Sequence, residues 1–325
     1  MSPAAGRPEI AVVIPTRNRD TRLTFALDAL AEQTLDRDRF EVVVVRDRPA
    51  PGLGLQPPAG LRLRVIELDE DAEPSRKRNF GWRSSEADLT AFTDDDCRPA
   101  PDWLERMLAG WDERGRDRDV ILQGRTEPDP DEVHLLHRLA RSQTIRGPSP
   151  VFQCCNIAYP RALLERVGGF DEEFDFGGED TDLGIRAVEA GAEHLYLEDV
   201  LAWHAVHPRG LAKAVRDSLR WKSQPLMLKR HPQLRDEMVA RYFWKDAHAR
   251  ILLAAAGVAL APRTGGLSLL ATIPYARVHK PPGKRLTSPR DVAALSVLLA
   301  EHAVIDAAEV IGTARGAIRY RTPLL

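Results

Sequence analysis

The stretch Glu9-Ile-Ala-Val-Val-Ile14 is apolar and largely β-branched, and Pro15-Thr16-Arg17-Asn18 follows it directly. An apolar run of this kind fits a buried strand, here ending at Pro15. Leu23, Leu27 and Leu30 then recur at helical spacing within residues 20–33. Phe40-Glu-Val-Val-Val-Val45 reads as a second strand, and residues 61–68 alternate like a strand with one wet face. Residues 74–84 read as a helix, 89–93 as a fourth strand and 101–115 as a helix with Pro101 near its first position. Residues 120–124 read as one more strand. Strands alternating with helices imply an α/β fold whose central sheet is mostly parallel and Rossmann-like, with helices on both faces.

In such sheets ligands bind at the carboxyl ends of the strands. Pro15, Thr16, Arg17 and Asn18 follow the first strand, Asp47 the second, and Asp94, Asp95 and Asp96 the fourth, so three polar clusters share one sheet edge. Three adjacent carboxylates repel one another. A divalent cation relieves this, since hard cations take oxygen ligands and often carry substrate phosphates. In isolation the triplet would read as a solvated acidic turn. The chain has no G-x-x-x-x-G-K-[ST], and Gly52-Leu-Gly54 lacks the third glycine and the strand–helix context of a dinucleotide fingerprint. Phosphate charge would therefore fall to a metal on Asp94–Asp96, helped by Arg76, Lys77 and Arg78.

At 325 residues the chain can build one large α/β domain or two smaller ones. A formal net charge of -2 gives no reason to expect a nucleic-acid partner. Three cysteines, two of them adjacent (Cys154, Cys155), form no disulfide framework and lack zinc-site spacing, which fits a reducing cytosol. The N-terminus shows no apolar signal-peptide core. The longest apolar run, residues 251–262, is too short to span a bilayer as a helix. With the apolar residues 267–275 it reads as a core hairpin, ahead of an interfacial element.

Past residue 125 the pattern loosens. Residues 127–134 read as a loop entering a helix that runs through Ser142, residues 143–150 as a flexible stretch, 152–158 as a strand and 161–167 as a short helix. Gly168-Gly-Phe-Asp-Glu-Glu-Phe-Asp-Phe-Gly-Gly-Glu-Asp180 leads into another helix. Beyond Gly210 the chain reads as helical, ending in a long segment from Pro289 to about Tyr320.

Taken in order, Ala11-Val-Val-Ile-Pro-Thr-Arg-Asn18, Asp47, Arg78-Asn79 and Phe92-Thr-Asp-Asp-Asp96 resemble the nucleotide-sugar half of family 2 glycosyltransferases. Asn156-Ile-Ala-Tyr-Pro-Arg161, Val167-Gly-Gly-Phe-Asp-Glu-Glu-Phe174 and Gly178-Glu-Asp-Thr-Asp-Leu-Gly-Ile-Arg186 resemble the second half. The resemblance covers about residues 9–208. It implies the GT-A fold and inverting, metal-dependent (Mn2+ or Mg2+) transfer from a UDP-, GDP- or dTDP-linked sugar to a hydroxyl. By the same resemblance Pro15, Thr16, Arg17, Asn18 and Asp47 line the nucleoside pocket, with Asp47 accepting from the base. Arg78 lies near the base or diphosphate, and Asp94 and Asp95 belong to the aspartate motif. Asp96, with Asp95 and His204, holds the metal; His207 is the alternative histidine. Asp180 is the general base, preferred to Glu179 and Asp182.

The chain departs from the family pattern at Arg46-Asp47-Arg48-Pro49, where members often carry Asp-Asp-Gly-Ser, and at Tyr159-Pro160-Arg161, where an arginine pair is usual. These departures leave the nucleotide and acceptor open. The expected organisation is a donor half over residues 1–125, an acceptor and catalytic half over 126–208 and a helical C-terminal extension over 209–325. The extension could meet a membrane's inner face, since residues 277–290 are rich in basic side chains. Two rivals remain: a sugar-phosphate nucleotidyltransferase, which would need a glycine-rich basic loop after the first strand, and a non-catalytic nucleotide- or glycan-binding module.

Overall fold

The computed structural model describes residues 6–17, 19–47, 55, 58–175, 177–281, 283 and 287–325. Asn18, Arg48, Pro49 and Gly52-Leu-Gly54 lie outside these described residues. The chain divides into two compact units, Met1–Pro208 and Arg209–Leu325.

The first unit is built on one eight-stranded sheet in the order β3-β2-β1-β4-β7-β6-β8-β5. The strands are β1 (Ile10–Thr16), β2 (Phe40–Asp47), β3 (Leu63–Leu68), β4 (Leu89–Phe92), β5 (Cys97–Pro99), β6 (Val120–Pro128), β7 (Ile157–Pro160) and β8 (Glu193–His204). β1 pairs in parallel with β2 and β4, β2 with β3, and β6 with β8. β7 runs antiparallel to β4 and β6, and β5 antiparallel to β8. The sheet is thus mostly parallel, with two reversed strands.

Every residue of β1 and β2 is buried, because each has a helix layer on both sides. Ile10, Val12 and Ile14 pack with Leu23, Leu27 and Leu30 of α1 (Asp20–Ala31), while Val13 points the other way toward Trp82 of α2 (Pro74–Ser84). α3 (Trp103–Arg114) joins the first layer; α4 (Arg161–Val167) and α5 (Glu179–Glu189) join the second. Each such leucine, fully withdrawn from water, contributes about 1.5–3 kcal/mol to the core. α2 lies unusually close to β1: a Cβ added at Gly81 would meet Val13 Cγ1 at 2.3 Å. That contact brings Lys77 and Arg78 down onto the sheet edge.

Several elements differ from the sequence reading. β1 continues through Pro15 to Thr16, since its neighbours continue beside it. α3 starts at Trp103 after a turn at Pro101-Asp102. No helix runs to Ser142; there is only a single 3-10 turn at Val133–Leu135. Tertiary pairing takes that backbone instead: Arg141 and His207 exchange hydrogen bonds of 3.0 and 2.8 Å, and Thr126 pairs with Ile145. The strand expected over 152–158 is confined to Ile157–Pro160, and Phe152 has φ +53°, a left-handed conformation that no strand accommodates. β5 and β8 had no counterpart in the sequence reading.

The second unit holds α6 (Leu211–Ser218), α7 (Gln224–Arg230), α8 (Asp246–Leu260), α9 (Ile273–His279) and α10 (Pro289–Tyr320). α10 starts in a capping box: Ser288 Oγ accepts from Asp291 N at 3.2 Å and Asp291 Oδ2 from Ser288 N at 3.0 Å. The apolar residues 251–262 and 267–275 are not the core hairpin expected of them. Most of their large side chains face outward, among them Leu253, Val258, Leu267 and Leu270. Among the described residues, no helix is long and apolar enough to cross a membrane.

Candidate active site

The carboxyl ends of β1, β2 and β4 bring Thr16, Asp47 and Asp94 to one edge, as sheet topology requires. Thr16 Oγ1 donates to Asp95 Oδ2 at 2.5 Å, tying the end of β1 to the aspartate triplet. Asp47 is buried and already partnered: it accepts from Ala72 N at 2.9 Å and from Lys77 Nζ at 2.7 Å. Lys77 also donates to Thr16 O at 2.8 Å. This corrects the role expected of the basic triplet, because Lys77 is spent inside the protein and Arg76 pairs with Glu70 on the surface. Arg17 is exposed and pairs with Asp71.

The three aspartates have separate environments. Asp94 is partly exposed and accepts from Arg78 at 2.9 Å. Asp95 is fully buried, and burial pushes its carboxyl up to about 7 against the pull of Arg19, whose guanidinium lies 2.9 Å away. Asp96 takes Arg19 at 2.7 Å and His207 Nε2 at 2.9 Å, with His204 Nε2 at 3.7 Å. Burial works to raise Asp96, but the His207 hydrogen bond and the Arg19 guanidinium outweigh it and hold the carboxyl below its ordinary range.

Asp96, Cys97 and His204 place one ligand atom each within 4.8 Å of the others. His204 Nδ1 lies 2.8 Å from Ala205 O. Donation of the Nδ1 proton to that carbonyl leaves Nε2, the nitrogen toward Asp96, as a lone-pair donor. Cys97 stays a thiol, raised by its hydrogen bond with Cys155 and by burial. A carboxylate and an imidazole without a thiolate fit a hard or borderline cation such as Mn2+ or Mg2+. Asp95 is not part of this group. A hollow of about 390 Å³, lined in part by Asp96, Cys97, Arg98 and Ala205, opens beside it. A larger, more open one of about 530 Å³ lies along the outer side of α2 at Arg76, Phe80 and Arg83 and contains neither acid cluster.

Gly177 and Gly178 adopt φ +81° and +100° immediately before α5. Nothing lies within 4 Å of a Cβ placed on Gly177, so the positive φ accounts for the glycine here and crowding does not. This turn delivers Glu179, Asp180 and Asp182 in three different states. Asp182 is buried against Arg186 at 2.6 Å, which in turn holds the carbonyls of Val167 and Gly169. Glu179 is buried and fixed by Arg78 Nη1 at 2.8 Å. Among the described residues Asp180 accepts one hydrogen bond, from Thr181 N at 2.8 Å, and it is partly exposed. Burial of its carboxyl and the adjacent Glu179 charge push it up to about 7.

Arg78 joins the two halves. One guanidinium donates to Asp94 through Nη2 and to Glu179 through Nη1, so the triplet and the α5 acids lie on either side of a single side chain. Its neighbour Asn79 closes the structure from below, donating to Phe170 O at 2.9 Å and accepting from Phe170 N at 3.0 Å.

The family model described as glycosyl transferase family 2 matches residues 11–168, and the model glycosyltransferase like family 2 matches residues 141–223. Together the two matches, both of family 2 glycosyltransferase type, span residues 11–223 of the chain. Among similar proteins, the validoxylamine A glucosyltransferase of Streptomyces hygroscopicus subsp. limoneus is 27% identical over 275 residues, covering 73% of this chain and 59% of its own length. The glycosyltransferase AglE of Haloferax volcanii is 27% identical over 213 residues, covering 62% of this chain and 69% of its own. This chain therefore spans roughly three-fifths to two-thirds of these relatives. The GT-A fold is seen in the Pyrobaculum calidifontis mannosyltransferase PcManGT, solved with GDP-Man and Mn2+, at a TM-score of 0.57 and 21% identity over 96% of this chain and 87% of that one. S. aureus TarS 1-349 with UDP-GlcNAc gives 0.51 and 17% identity over 97% and 92%.

Sequence reasoning missed Arg19, which bridges Asp95 and Asp96, and ranked His204 before His207 although His207 makes the shorter contact with Asp96. The signal for Arg19 was its position just past the end of β1, on the edge already identified.

Proposed function

We propose that this chain transfers a sugar from a nucleoside diphosphate sugar to an acceptor hydroxyl, with inversion and with the help of a divalent metal. The observation that carries the reading is the Arg78 bridge, which sets a metal-fitting acid cluster against a second acid cluster holding a near-neutral carboxylate. Direct displacement needs such an arrangement. Asp180 takes the proton of the acceptor O–H, the oxygen forms its bond to the anomeric carbon, and the bond from that carbon to the diphosphate oxygen breaks with its electron pair leaving on the diphosphate. One displacement inverts the anomeric centre. A group pushed up to about 7 is half ionised near neutral pH, which suits a general base.

In this reading Asp96 and His204 hold the metal with His207 and Asp95 behind them, and the ion supplies Lewis-acid stabilisation of the diphosphate. Thr16, Asp47 and the loop after β1 line the nucleoside pocket, Asp47 through a carboxylate that Lys77 and Ala72 N orient. Residues 1–125 serve the donor, 126–208 the acceptor and the base, and 209–325 form an extension. The donor is a nucleoside diphosphate sugar: GDP- and UDP-linked sugars are the ligands of the solved relatives, and a dTDP-linked sugar stands beside them as a candidate. Association with the inner face of a membrane through the extension belongs to the same reading.

Purified protein with Mn2+ is to be offered UDP-, GDP- and dTDP-sugars, with release of the nucleoside diphosphate measured. Turnover on one donor that Asp180→Asn removes while nucleotide binding persists is the expected result. Tight nucleotide binding without turnover on any donor would leave only a binding module.

A further inference from the structure

The second unit carries its leucines on the wrong side for a water-soluble helix pair. α8 buries Ala247, His248, Ala254 and Gly257, and exposes Leu252, Leu253, Val258 and Leu260. The small residues are there for close approach: a Cβ on Gly257 would meet Ser268 O at 2.5 Å. The segment that packs against α8 repeats the pattern, with Leu267 70% and Leu270 60% exposed. Small residues inside and leucines outside is the arrangement of helices whose surroundings are apolar.

The charge of the same segment is equally one-sided. Asp and Glu make up 48 of the chain's 325 residues, yet between Asp246 and Asp291 there is none, while seven lysines and arginines occur. Arg263, Arg277 and Lys280 of this segment are exposed, as its leucines are. A second copy of this chain would bring two cation-bearing faces together with no acid of the segment to offset them. An anionic lipid surface satisfies both features, taking leucine side chains at the acyl boundary and pairing headgroups with the cations.

We propose that residues 247–280 form a peripheral membrane-binding face that takes anionic phospholipid, with Leu267 and Leu270 inserting and Arg263, Arg277 and Lys280 contacting headgroups. This deepens the membrane part of the proposed function and rests on it, but not on sugar transfer, because its test needs no turnover. The whole chain is to be floated on a density gradient with vesicles of phosphatidylcholine alone or with phosphatidylglycerol added.

Co-flotation is expected with the anionic vesicles only, falling about fivefold for each cation removed in Arg263→Gln, Arg277→Gln or Lys280→Gln. Leu267→Glu with Leu270→Glu should reduce it at least tenfold, roughly; both positions are so exposed that the fold tolerates the change. Val65→Glu, at an exposed apolar residue of the first unit, should leave flotation unchanged. Absence of lipid-dependent flotation, equal flotation on neutral vesicles, or a dimer in solution that the two leucine changes dissociate would overturn the proposal. Sugar transfer can survive any of these outcomes.

Discussion

The aspartate triplet and the acids at the start of α5 are both clusters of carboxylates, but they are neutralised to different degrees. Around Asp95 and Asp96 stand Arg19, His204, His207 and the Thr16 hydroxyl. Around Glu179 and Asp180 stands one guanidinium, and of these two it hydrogen-bonds only Glu179, its other arm going to Asp94. The first cluster is an environment for a cation. In the second, burial and the adjacent Glu179 charge raise Asp180 to about 7, where it is still partly exposed and can take a proton. Asp95 is raised as far, but it lies fully buried against Thr16 and Arg19. The same residue type does two jobs because its neighbours differ.

The largest effect expected from disturbing this contrast is at Asp96. Asp96→Ala removes the carboxylate that faces both histidines, and metal-dependent nucleotide binding measured by calorimetry should disappear while metal-independent binding persists. An unchanged manganese dependence would move the metal elsewhere. Next comes Asp180→Asn, which should lower kcat by about 10²–10⁴ with nucleotide affinity unaltered. For the wild type, kcat should rise with pH through about 7 as Asp180 loses its proton. A flat profile between pH 5.5 and 8 under rate-limiting chemistry would contradict the base assignment.

The bridge between the clusters should be the next most costly to break. Arg78→Met leaves buried Glu179 without a partner, and removing one member of such a pair costs about 3–5 kcal/mol in denaturant unfolding. Arg78→Lys keeps the charge but lacks the fork that reaches two carboxylates, so it should recover only part of that loss.

Asp180 also makes a prediction about stability. Its folded pKa is raised from 3.8 to about 7, so between those values the folded chain keeps a proton that the unfolded chain has released. Its contribution to stability therefore falls as pH rises through that window. Asp180→Asn should raise Tm at pH 8 and do so less at pH 5, an inactive variant that is the more stable one. An equal shift at both pH values would mean that the carboxyl is ordinary.

Much of this contrast was legible in the sequence. The apolar runs of β1 and β2, the leucine spacing of α1 and the bounds of α2 and α10 follow from local pattern, and topology then forced Thr16, Asp47 and Asp94 onto one edge. What could not be read was which acid is paired with which base. Lys77 looks like Arg76 and Arg78 in the sequence, yet only the approach of α2 at Gly81 decides that Lys77 turns to Asp47 and Arg78 to Asp94 and Glu179. The segment after Glu127 misled for a related reason: its backbone is claimed by His207 and Thr126, partners distant in sequence. The leucines of α8 misled because an apolar run states that water is avoided without stating what replaces it.

The smallest effect tests whether the partnering of the triplet is energetic or merely geometric. Thr16→Val removes a hydroxyl that donates to Asp95 at 2.5 Å and keeps the side-chain shape. A hydrogen bond to a buried carboxylate contributes about 1.5–3 kcal/mol, less where the carboxyl is partly protonated, so a loss of about 1–2 kcal/mol is expected at pH 8. Thr90 supplies the control. It is equally buried, on β4, and its Oγ1 finds no partner among the described residues. Thr90→Val should therefore be neutral or slightly stabilising, because an unsatisfied buried hydroxyl is replaced by a methyl group of the same shape. Equal losses at the two positions would show that the Thr16 contact with Asp95 contributes nothing beyond packing, and the triplet would then rest on Arg19 and the histidines alone.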